Sequence, residues 1–531
     1  MIHDRRTFLR LVGASSAGSV ALASTAVASA PDGPEVVTLE NVGADSPGSP
    51  IAPDDGFADL GWLEDGPLVV VRVTTLDATG EGSFKWACEV GYDELDAEDV
   101  GRRIVVFEVG GVIDLEDTDI QAERKNIYVA GQTAPTPGIT LVRANGPGVE
   151  FDEENHFVQH IRSMPGDQIS EPADSMVAGD DAHNVVFDHC TVTWGTEESM
   201  SVNAGSVSER FTFSNNLIGE GLFDSPVHSS DPQRAYGTLV GNDADAAAII
   251  GNLYVHTWSR NPRLKGGTQA LVANNVWYNF EHGMRIGGDV DAPNYVNAVG
   301  NHYRAGEAAD FDTPLVYTSH DDDDPPIHIY LENNSYDDGY TPIDENDPFE
   351  IEGSPITEYW PASFTPIDGD PYDQVLSHAG ARPAERTEVE ERLIADVENR
   401  TGEIIDSQDE VGGYPQLEET AREIELLEGD ITDWLRAHTR AVELGDVPPG
   451  EENGADPEDL DVTGDSNPAQ DLTGDGLYED VTGDGRLSFD DVVTFFEEHE
   501  GAPVQDNVEH FDFSDDGRVG FTDVVALFEL L

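Results

Sequence analysis

The sequence has few cysteines and few basic residues. Cys88 and Cys190 are the only cysteines among 531 residues. Two thiols exclude a framework of several disulfides, which leaves either two buried thiols or a single bridge between them. Lysine and arginine together number 27, against 107 aspartates and glutamates, so the formal net charge is −80. Because phosphate groups require positive charge on their partner, we expect no binding to nucleic acid.

The acidic excess indicates a folded protein of concentrated salt. Charge of this density usually favours disorder, but 7 Trp, 21 Phe and 15 Tyr supply a substantial core. Repulsion between surface carboxylates is tolerable where salt screens them, and the Debye length falls to about 3 Å at 1 M salt. The only lysines are Lys85, Lys125 and Lys265. We therefore predict a halophilic protein.

The N-terminal segment predicts export. Arg5 and Arg6 precede a mildly apolar stretch rich in Ala, Ser and Gly, which ends in AVASA at residues 26–30. A twin-arginine pair, an apolar region and small residues before a cleavage point are typical of a twin-arginine signal peptide. We expect residues 1–30 to be this signal peptide, the protein to be secreted, and the chain to have no transmembrane segment.

One short motif recurs through the middle of the chain. Apolar runs such as VVFDHCTV, FTFSNNLI, AAIIGNLYV and ALVANNVWY each contain a polar residue. These polar positions, at intervals of 23 to 36 residues, are His189, Asn216, Asn252, Asn275, Asn301 and Asn334. Repeats of this size stack into a solenoid, and stacked Asn side chains can hydrogen-bond along its axis. We predict an all-β main domain, a parallel β-helix over residues 31–445, in which residues 417–444 form a helical extension. The alternative, a β-sandwich, would show regular hairpin spacing, which this sequence lacks.

A second module follows an acidic Pro/Gly linker at residues 446–470. Two loops carry oxygen side chains and a glycine at the spacing of an EF-hand-like calcium loop, and an apolar helix-like run follows each loop. The first loop has Asp480, Thr482, Asp484, Ser488 and Asp491, and the second has Asp512, Ser514, Asp516 and Asp523. The duplication, with Asp at position 12, resembles the dockerin module of secreted carbohydrate-active enzymes. This resemblance implies a small α-helical calcium module over residues 471–531 and a possible cohesin-like partner.

Three segments of the main domain carry a second resemblance. They are VFDH at residues 186–189, WGTEES at residues 194–199 and SRNPRLK at residues 259–265. They resemble the motifs of pectate lyases of polysaccharide lyase family one, and the likeness runs from about residue 110 to residue 301. The resemblance implies a right-handed parallel β-helix, here with a haloarchaeal-type composition. It also implies a calcium cofactor and β-elimination, in which the C5 proton of galacturonate is removed and the C4 oxygen leaves.

Calcium would neutralise the uronate carboxylate and take up charge as the enolate forms, so carboxylates must line the groove. The resemblance implies Asp174 as the first calcium ligand and Glu197 or Glu198 as the second. In relatives another acid lies four residues further on, but that position is Ser201 or Val202 here. Either Asp188, Asp180 or Asp181 completes this shell, or calcium arrives bound by the substrate, and Asp188 equally suits a structural role.

The base implied by the resemblance is Arg260, the first residue of the Arg-x-Pro-x-x-Arg motif. Lys265 replaces the second arginine, and Arg263 adds positive charge to the same segment. A guanidinium is ordinarily protonated, so an arginine base requires cationic neighbours. In an extended strand Arg260 and Lys265 would face opposite ways unless Pro262 breaks the strand.

Tyr236 stands where relatives often have a substrate-binding lysine. It can stack on a sugar or donate a hydrogen bond, and Arg234 is a candidate replacement for the lysine's charge. We predict a monomeric, secreted, calcium-dependent lyase that acts on polygalacturonate-like chains. One alternative is a β-helix glycoside hydrolase with paired carboxylates, although its Asn-Thr-Asp, Asp-Asp and Gly-His-Gly signatures do not occur together. The other alternative is a catalytically silent polyuronate-binding surface protein.

Overall fold

The structure is a computed structural model of the chain. It describes residues 35–39, 46–64, 66–203, 209–228, 233–318, 320, 324–344, 347–424 and 431–449. The C-terminal residues it describes are 460, 462, 469–470, 472, 477–483, 486–499, 501–505, 507–514 and 518–530. The predicted signal peptide, most of the predicted linker, and Asp484 and Asp516 of the predicted calcium loops lie outside the described residues.

The main domain is a parallel β-helix with three faces of stacked strands. Among the strand pairs of the described residues, β1–β2 and β28–β4 are antiparallel and the others are parallel. Face 1 contains β1 (Glu35–Leu39), β2 (Gly66–Val73), β3 (Arg103–Phe107), β5 (Ile127–Ala130), β7 (Glu154–Gln159), β10 (His183–Asp188), β13 (Glu209–Ser214), β16 (Asp245–Ile250), β19 (Gln269–Ala273), β22 (Asn294–Val299), β25 (Ile327–Glu332) and β27 (Phe349–Ile351). Face 2 contains β8 (Ile161–Met164), β11 (Thr191–Thr193), β14 (Leu217–Gly219), β17 (Leu253–Val255), β20 (Val276–Tyr278), β23 (His302–Arg304) and β26 (Ser335–Tyr336).

Face 3 contains β9 (Met176–Ala178), β12 (Glu198–Val202), β15 (Tyr236–Val240), β18 (Arg263–Leu264), β21 (Met284–Ile286) and β24 (Val316–Thr318). The long strands β4 (Val109–Ala122) and β6 (Ile139–Phe151) pair with each other, and β6 joins faces 2 and 3. The short strand β28 (Thr420–Ala421) pairs with β4.

Side chains of the same kind stack from rung to rung inside the solenoid. Phe187 and Phe213 are in register on β10 and β13, and their ring centroids lie 5.2 Å apart. On face 2, the ring of Trp277 lies between those of Tyr254 and Tyr303, at centroid distances of 5.2 Å and 4.8 Å. All five rings are buried. Because every rung contributes to the same apolar column, the core is continuous, as the repeats predict.

The predicted asparagine ladder is confirmed from Asn216 onward. Each ladder asparagine donates its backbone N–H and its side-chain amide to the Oδ1 atom of the next one, at 2.9 to 3.1 Å. The ladder consists of Asn216, Asn252, Asn275, Asn301 and Asn334. The prediction for His189 is wrong by one residue, because the residue whose N–H reaches Asn216 Oδ1 is Cys190, at 2.8 Å.

Helices cover the outside of the β-helix and form the C-terminal part of the chain. They are α1 (Phe84–Glu89), α2 (Tyr372–His378), α3 (Glu388–Asn399), α4 (Thr432–Leu444), α5 (Phe489–Glu498), α6 (Ala502–Gln505), α7 (Val508–Phe511) and α8 (Phe521–Glu529). Short 3-10 helices occur at Pro53–Asp55, Leu60–Leu63, Gly131–Thr133, Thr357–Tyr359 and Gln408–Val411. The predicted helix over residues 417–444 is therefore too long, since β28 occupies part of that range and α4 begins at Thr432.

Apolar residues fix the helical extension to the solenoid. Leu435 of α4 belongs to the cluster that contains Val70 of face 1, and Leu393 of α3 belongs to the cluster that contains Leu253 of face 2. Helices α5 to α8 contribute to a separate apolar cluster in the C-terminal part of the chain. Cys88 and Cys190 are free and buried, so the first of the two predicted alternatives holds. Within the described residues, no helix is long and apolar enough to span a membrane.

Candidate active site

The candidate active site lies on face 3, where consecutive rungs bring acidic and basic side chains onto one surface. Asp174 precedes β9, Glu198 begins β12 and Arg260 precedes β18. Strand β12 pairs with both β9 and β15, and Glu198 is in register with Tyr236. A further bridge joins Tyr236 to Ser259. Parallel pairing therefore stacks residues that are far apart in the sequence into one row.

Arg260 is at the centre of this row. Its guanidinium contacts the Glu198 carboxylate, and its Cζ atom lies 3.7 Å from the centroid of the Tyr236 ring. Burial lowers the pKa of Arg260 to about 10, and the charges of Arg263 and Arg285 act in the same direction. These effects favour the neutral guanidine form, which a base requires.

The backbone at Arg260 resolves the predicted problem of orientation. Arg260 has a positive φ of 60° and is not part of a strand. Strand β18 begins only at Arg263, after Pro262. The alternation that would turn Arg260 and Lys265 to opposite sides therefore does not extend across this segment.

Lys265 and Arg263 share one acidic partner. Arg263 Nη2 lies 3.0 Å and Lys265 Nζ lies 3.2 Å from Asp289 Oδ2. Arg263 is also in register with Arg285 on β21. The basic side chains that lower the pKa of Arg260 include Arg263 and Arg285, so Arg285 is a member of the site that the sequence prediction missed.

The acidic side of the site is centred on Asp174. This half-buried carboxylate accepts hydrogen bonds from the Glu198 N–H at 3.0 Å and from Ser201 Oγ at 2.5 Å. Burial raises the pKa of Asp174 to about 7, and the charge of Glu197 raises it further, whereas Ser201 and Arg260 lower it. Ser201, which occupies a position where relatives carry an acid, thus hydrogen-bonds to the first predicted calcium ligand.

Glu197 and Glu198 have different partners. Glu197 Oε2 lies 3.1 Å from Arg234 Nε, and its Oε1 lies 3.3 Å from His228 Nε2. Glu198 contacts Arg260 instead. Both carboxylates belong to the site, so the structure brings together the two alternatives that the sequence left open.

The chain is similar to fungal pectate lyases. It is 31% identical to the probable pectate lyase C of Aspergillus oryzae over 409 residues, which cover 75% of this chain and 87% of the relative. It is also 31% identical to the probable pectate lyase C of Aspergillus flavus over 408 residues, which cover 74% and 86%. The chain belongs to the pectate lyase family. It is a pectate lyase-like polysaccharide lyase.

No family model matches this pectate lyase-like chain. The solved structure of a thermostable pectate lyase aligns with 62% of this chain and 97% of the other, with a TM-score of 0.43 and 14% identity.

Tyr236 of the lyase does not present its ring to solvent. Tyr236 is only 8% exposed, and its ring contacts both Arg260 and Trp258. Its hydroxyl donates to the Gln233 carbonyl at 3.1 Å and accepts from Arg234 Nη1 at 3.3 Å. The prediction that Tyr236 stacks on a sugar is therefore wrong, because the ring supports Arg260 instead.

Asp188 lies outside the active site of the lyase. It ends β10 on face 1, whereas Asp174, Glu198 and Arg260 lie along face 3. Five side chains donate hydrogen bonds to it, namely Ser46, Gln159, His189, Ser214 and Asn215. Burial acts to raise the pKa of Asp188. The pKa is nevertheless lowered to about 2 by the charge and hydrogen bond of His189 and by the hydrogen bonds from Ser214 and Gln159. The prediction of a calcium ligand is wrong, and the structural alternative holds.

Asp180 and Asp181 lie at the turn after β9. Burial raises the pKa of Glu150 to about 7, and the charges of Asp152 and Asp180 contribute to this shift. The Asp181 N–H donates to Asp152 Oδ1 at 2.8 Å. The charge of Asp174 also raises the pKa of Glu150, so these two candidates belong to an acidic turn next to the Asp174 rung.

The two predicted calcium loops share two backbone hydrogen bonds to the aspartate at position 12. In the first loop Asp491 accepts from the N–H and Oγ1 of Thr482 and from the N–H and Oγ of Ser488, at 2.7 to 3.0 Å. In the second loop Asp523 accepts from the Ser514 N–H at 2.9 Å and the Gly520 N–H at 2.7 Å. The aspartate at position 12 therefore orients each loop. The remaining described candidates, Asp480 and Asp512, open the loops.

The sequence contained a signal for Arg285, which was missed. The segment MRIGG at residues 284–288 resembles PRLKGG one rung earlier, so Arg285 follows from the repeat that predicts the fold. On β12, Met200 and Val202 belong to the core cluster, so Ser201 between them faces the opposite side of the strand. His228 contacts Glu197 from a loop.

Proposed function

We propose that this lyase cleaves polygalacturonate-like chains by calcium-dependent β-elimination, with Arg260 as the base that removes the C5 proton. The observation that carries the proposal is the convergence of Arg260 with Asp174, Glu197 and Glu198 on one face of the solenoid. A base and a set of oxygen ligands for a cation are the two parts that elimination from a uronate requires.

The carboxylates around Arg260 fit a hard cation such as calcium. All their donor atoms are oxygens, the ligand type that calcium takes in proteins. Asp174, Glu197 and Glu198 would hold the ion. When bound, calcium neutralises the uronate carboxylate and acidifies the adjacent proton. Thr482, Ser488, Ser514 and the aspartates of the C-terminal loops, including Asp484 and Asp516, would hold further calcium ions.

The chain's own residues prepare Arg260 for proton removal. Burial and the nearby charges of Arg263 and Arg285 disfavour its protonated form. Tyr236 supports the guanidinium from one side, and Glu198 contacts it from another. Arg263 and Lys265, with Asp289 between them, would bind substrate carboxylates beside the base.

Replacement of Arg260 by alanine tests this proposal. We expect turnover to fall by about 10²- to 10⁴-fold, because that is the usual contribution of a positioned base. The assay follows the ultraviolet absorbance of the unsaturated product from polygalacturonate with calcium in concentrated salt. Arg440→Ala is the matched control, since Arg440 pairs with Asp446 on the surface of the helical extension. Undiminished turnover in Arg260→Ala would show that another group is the base.

A catalytically silent polyuronate-binding protein is the second candidate function. Ser201, found where relatives carry an acid, favours it, because the site then has one negative charge fewer for calcium. In the same assay this candidate would bind polygalacturonate without forming any unsaturated product. New reducing ends without that absorbance would indicate a hydrolase.

We also propose that the protein is secreted by the twin-arginine route, works in concentrated salt and binds a cohesin-like partner through its C-terminal module. Apolar side chains support the last point, since Phe489 and Phe496 of α5 and Phe521 and Phe528 of α8 are 52% to 62% exposed. They occupy equivalent positions in the two repeats, and surface patches of this kind mark interaction sites. Calcium titration of the full chain, with and without a cohesin domain, tests the module.

A further inference from the structure

A second cluster of ionisable side chains lies on the other side of the solenoid from the active site. It consists of His160, His189 and Glu443, and all three side chains are fully buried. His160 follows β7 and His189 follows β10, both on face 1, while Glu443 lies near the C-terminal end of α4. One ring nitrogen of each histidine and one carboxylate oxygen lie within 4.8 Å of one another.

The solenoid places the two histidines in equivalent positions. Gln159 and Asp188 are in register on β7 and β10, so the residue after each occupies the same turn of successive rungs. His160 and His189 both have a positive φ, 58° and 46°, and the His160 N–H donates to the His189 carbonyl. Their rings are stacked, with centroids 5.3 Å apart. The turn therefore directs both imidazoles towards α4.

The ring of His160 has a nitrogen without a hydrogen-bond partner. Its Nδ1 lies 2.7 Å from the Ala381 carbonyl, which can only accept, so this nitrogen carries the proton. Its Nε2 therefore has a lone pair, and among the described residues this buried atom makes no hydrogen bond. Nε2 lies 3.6 Å from Glu443 Oε1, which is beyond hydrogen-bond range. A buried lone pair beside a carboxylate oxygen requires a cation or a proton between them.

The same oxygen of Glu443 is equally distant from the other histidine. His189 Nδ1 lies 3.6 Å from Glu443 Oε1. Two ligand atoms that share a tetrahedral zinc ion, with bonds of about 2.0 to 2.1 Å, are about 3.4 Å apart. The two distances to Glu443 Oε1, 3.6 Å each, are close to this value, and all three atoms lie within 4.8 Å of one another. Two imidazoles and one carboxylate suit zinc and similar d-block cations, whereas calcium requires six to eight oxygens.

Neighbouring groups hold two of these ligands in place. His160 Nδ1 donates to the Ala381 carbonyl at 2.7 Å, and the Gly48 N–H donates to Glu443 Oε2 at 3.0 Å. Such outer contacts to ligand side chains are typical of metal sites in proteins. Coordination by His189 Nδ1 would take the place of its hydrogen bond to Asp188.

We propose that His160 Nε2, His189 Nδ1 and Glu443 Oε1 bind one zinc-like divalent d-block cation. This closed site fastens α4 and the segment around Gly48 to the turns of face 1. Its role is structural, because the three side chains are inaccessible to solvent and lie on a different face from Arg260.

The experiment measures zinc in the full chain. Protein saturated with calcium is given one equivalent of zinc, passed through gel filtration and analysed by mass spectrometry for metals. We expect one zinc ion per chain, and a midpoint of thermal unfolding that is several degrees higher than with calcium alone. Glu443→Gln is expected to retain no zinc and to show no zinc-dependent shift. Glutamine keeps an oxygen for the Gly48 N–H and supplies an N–H for His160 Nε2, so the variant should fold.

Glu350→Gln is the matched control. Glu350 belongs to an exposed cluster with His328 and Glu352, the other group of potential ligands in the described residues. This variant should retain zinc like the unchanged protein. Absence of zinc from the unchanged protein, or equal zinc in Glu443→Gln, would overturn the proposal. If Glu443→Gln does not fold, His160→Gln and the visible absorption of the cobalt-loaded protein, which zinc should abolish, decide the question.

Discussion

Asp174, which is half-buried, and Asp188, which is fully buried, are two aspartates of the same solenoid with opposite pKa shifts. The pKa of Asp174 is raised to about 7, and that of Asp188 is lowered to about 2. Asp188 accepts hydrogen bonds from five side chains, and His189 beside it supplies positive charge. Asp174 accepts two hydrogen bonds and shares Arg260 with two other carboxylates. Burial alone therefore does not distinguish a structural carboxylate from a cation ligand, and the number of donors and counter-charges does.

The largest effect that would test this comparison is loss of stability at Asp188. Asp188→Asn removes the charge that faces His189 in a fully buried pair, and breaking such a pair costs about 3 to 5 kcal/mol. We expect the midpoint of urea unfolding to fall accordingly. Asp180→Asn, at an exposed turn, is the control and should leave the midpoint unchanged. Unaltered stability in Asp188→Asn would show that the hydrogen bonds hold this turn without the charge.

Asp174→Asn should behave in the opposite way in buffer without calcium. The folded pKa of Asp174, about 7, lies above the unfolded value near 3.9, so the folded protein binds more protons in this window. The ionised carboxylate therefore reduces stability increasingly as the pH rises from about 4 to about 7. The variant lacks this carboxylate. Its free energy of unfolding should therefore rise relative to that of the unchanged protein, by at most about 1.4 kcal/mol per pH unit.

Thermal unfolding of both proteins at one-unit steps across this window measures the difference. For Asp188 the folded pKa lies below the unfolded value, so its contribution is present above about pH 4 and is lost towards pH 2. A difference that stays constant across this window for Asp174→Asn would contradict the distinction between the two aspartates.

The fold was predictable because its signal is repeated. Five asparagines at the end of strand-like runs specify a ladder, and no single one of them has to be placed correctly. The error at His189 arose where the repeat is imperfect, since Cys190 occupies the ladder position without an amide. The extension at residues 417–444 was predicted as one helix because its apolar spacing is helical, but pairing with β4 overrides that local preference at Thr420.

The site was only partly predictable. A sequence motif specifies residue types, but it does not specify on which face of the β-helix each side chain lies. Asp188 lies in a motif of the family, yet its position at the end of a face 1 strand turns it away from Arg260. Arg260, Glu197 and Glu198 do meet as the resemblance implies. Tyr236 shows the limit most clearly, since a tyrosine in a groove is as suited to stacking on an arginine as on a sugar.

The smallest effect concerns that tyrosine. Tyr236→Leu removes the ring 3.7 Å from the Arg260 guanidinium, an interaction worth about 2 kcal/mol when desolvated, so turnover should fall by about 30-fold. The ring stabilises the charged form of the guanidinium. Loss of the ring should therefore also move the limb of the pH–rate profile that follows the ionisation of Arg260 towards lower pH. Tyr236→Phe keeps the ring and loses only the hydroxyl contacts to Gln233 and Arg234, and it should therefore preserve both turnover and the limb. If Tyr236→Phe and Tyr236→Leu lose activity equally, the hydroxyl and not the ring positions the base, and the support of Arg260 comes from the Arg234 side of the site.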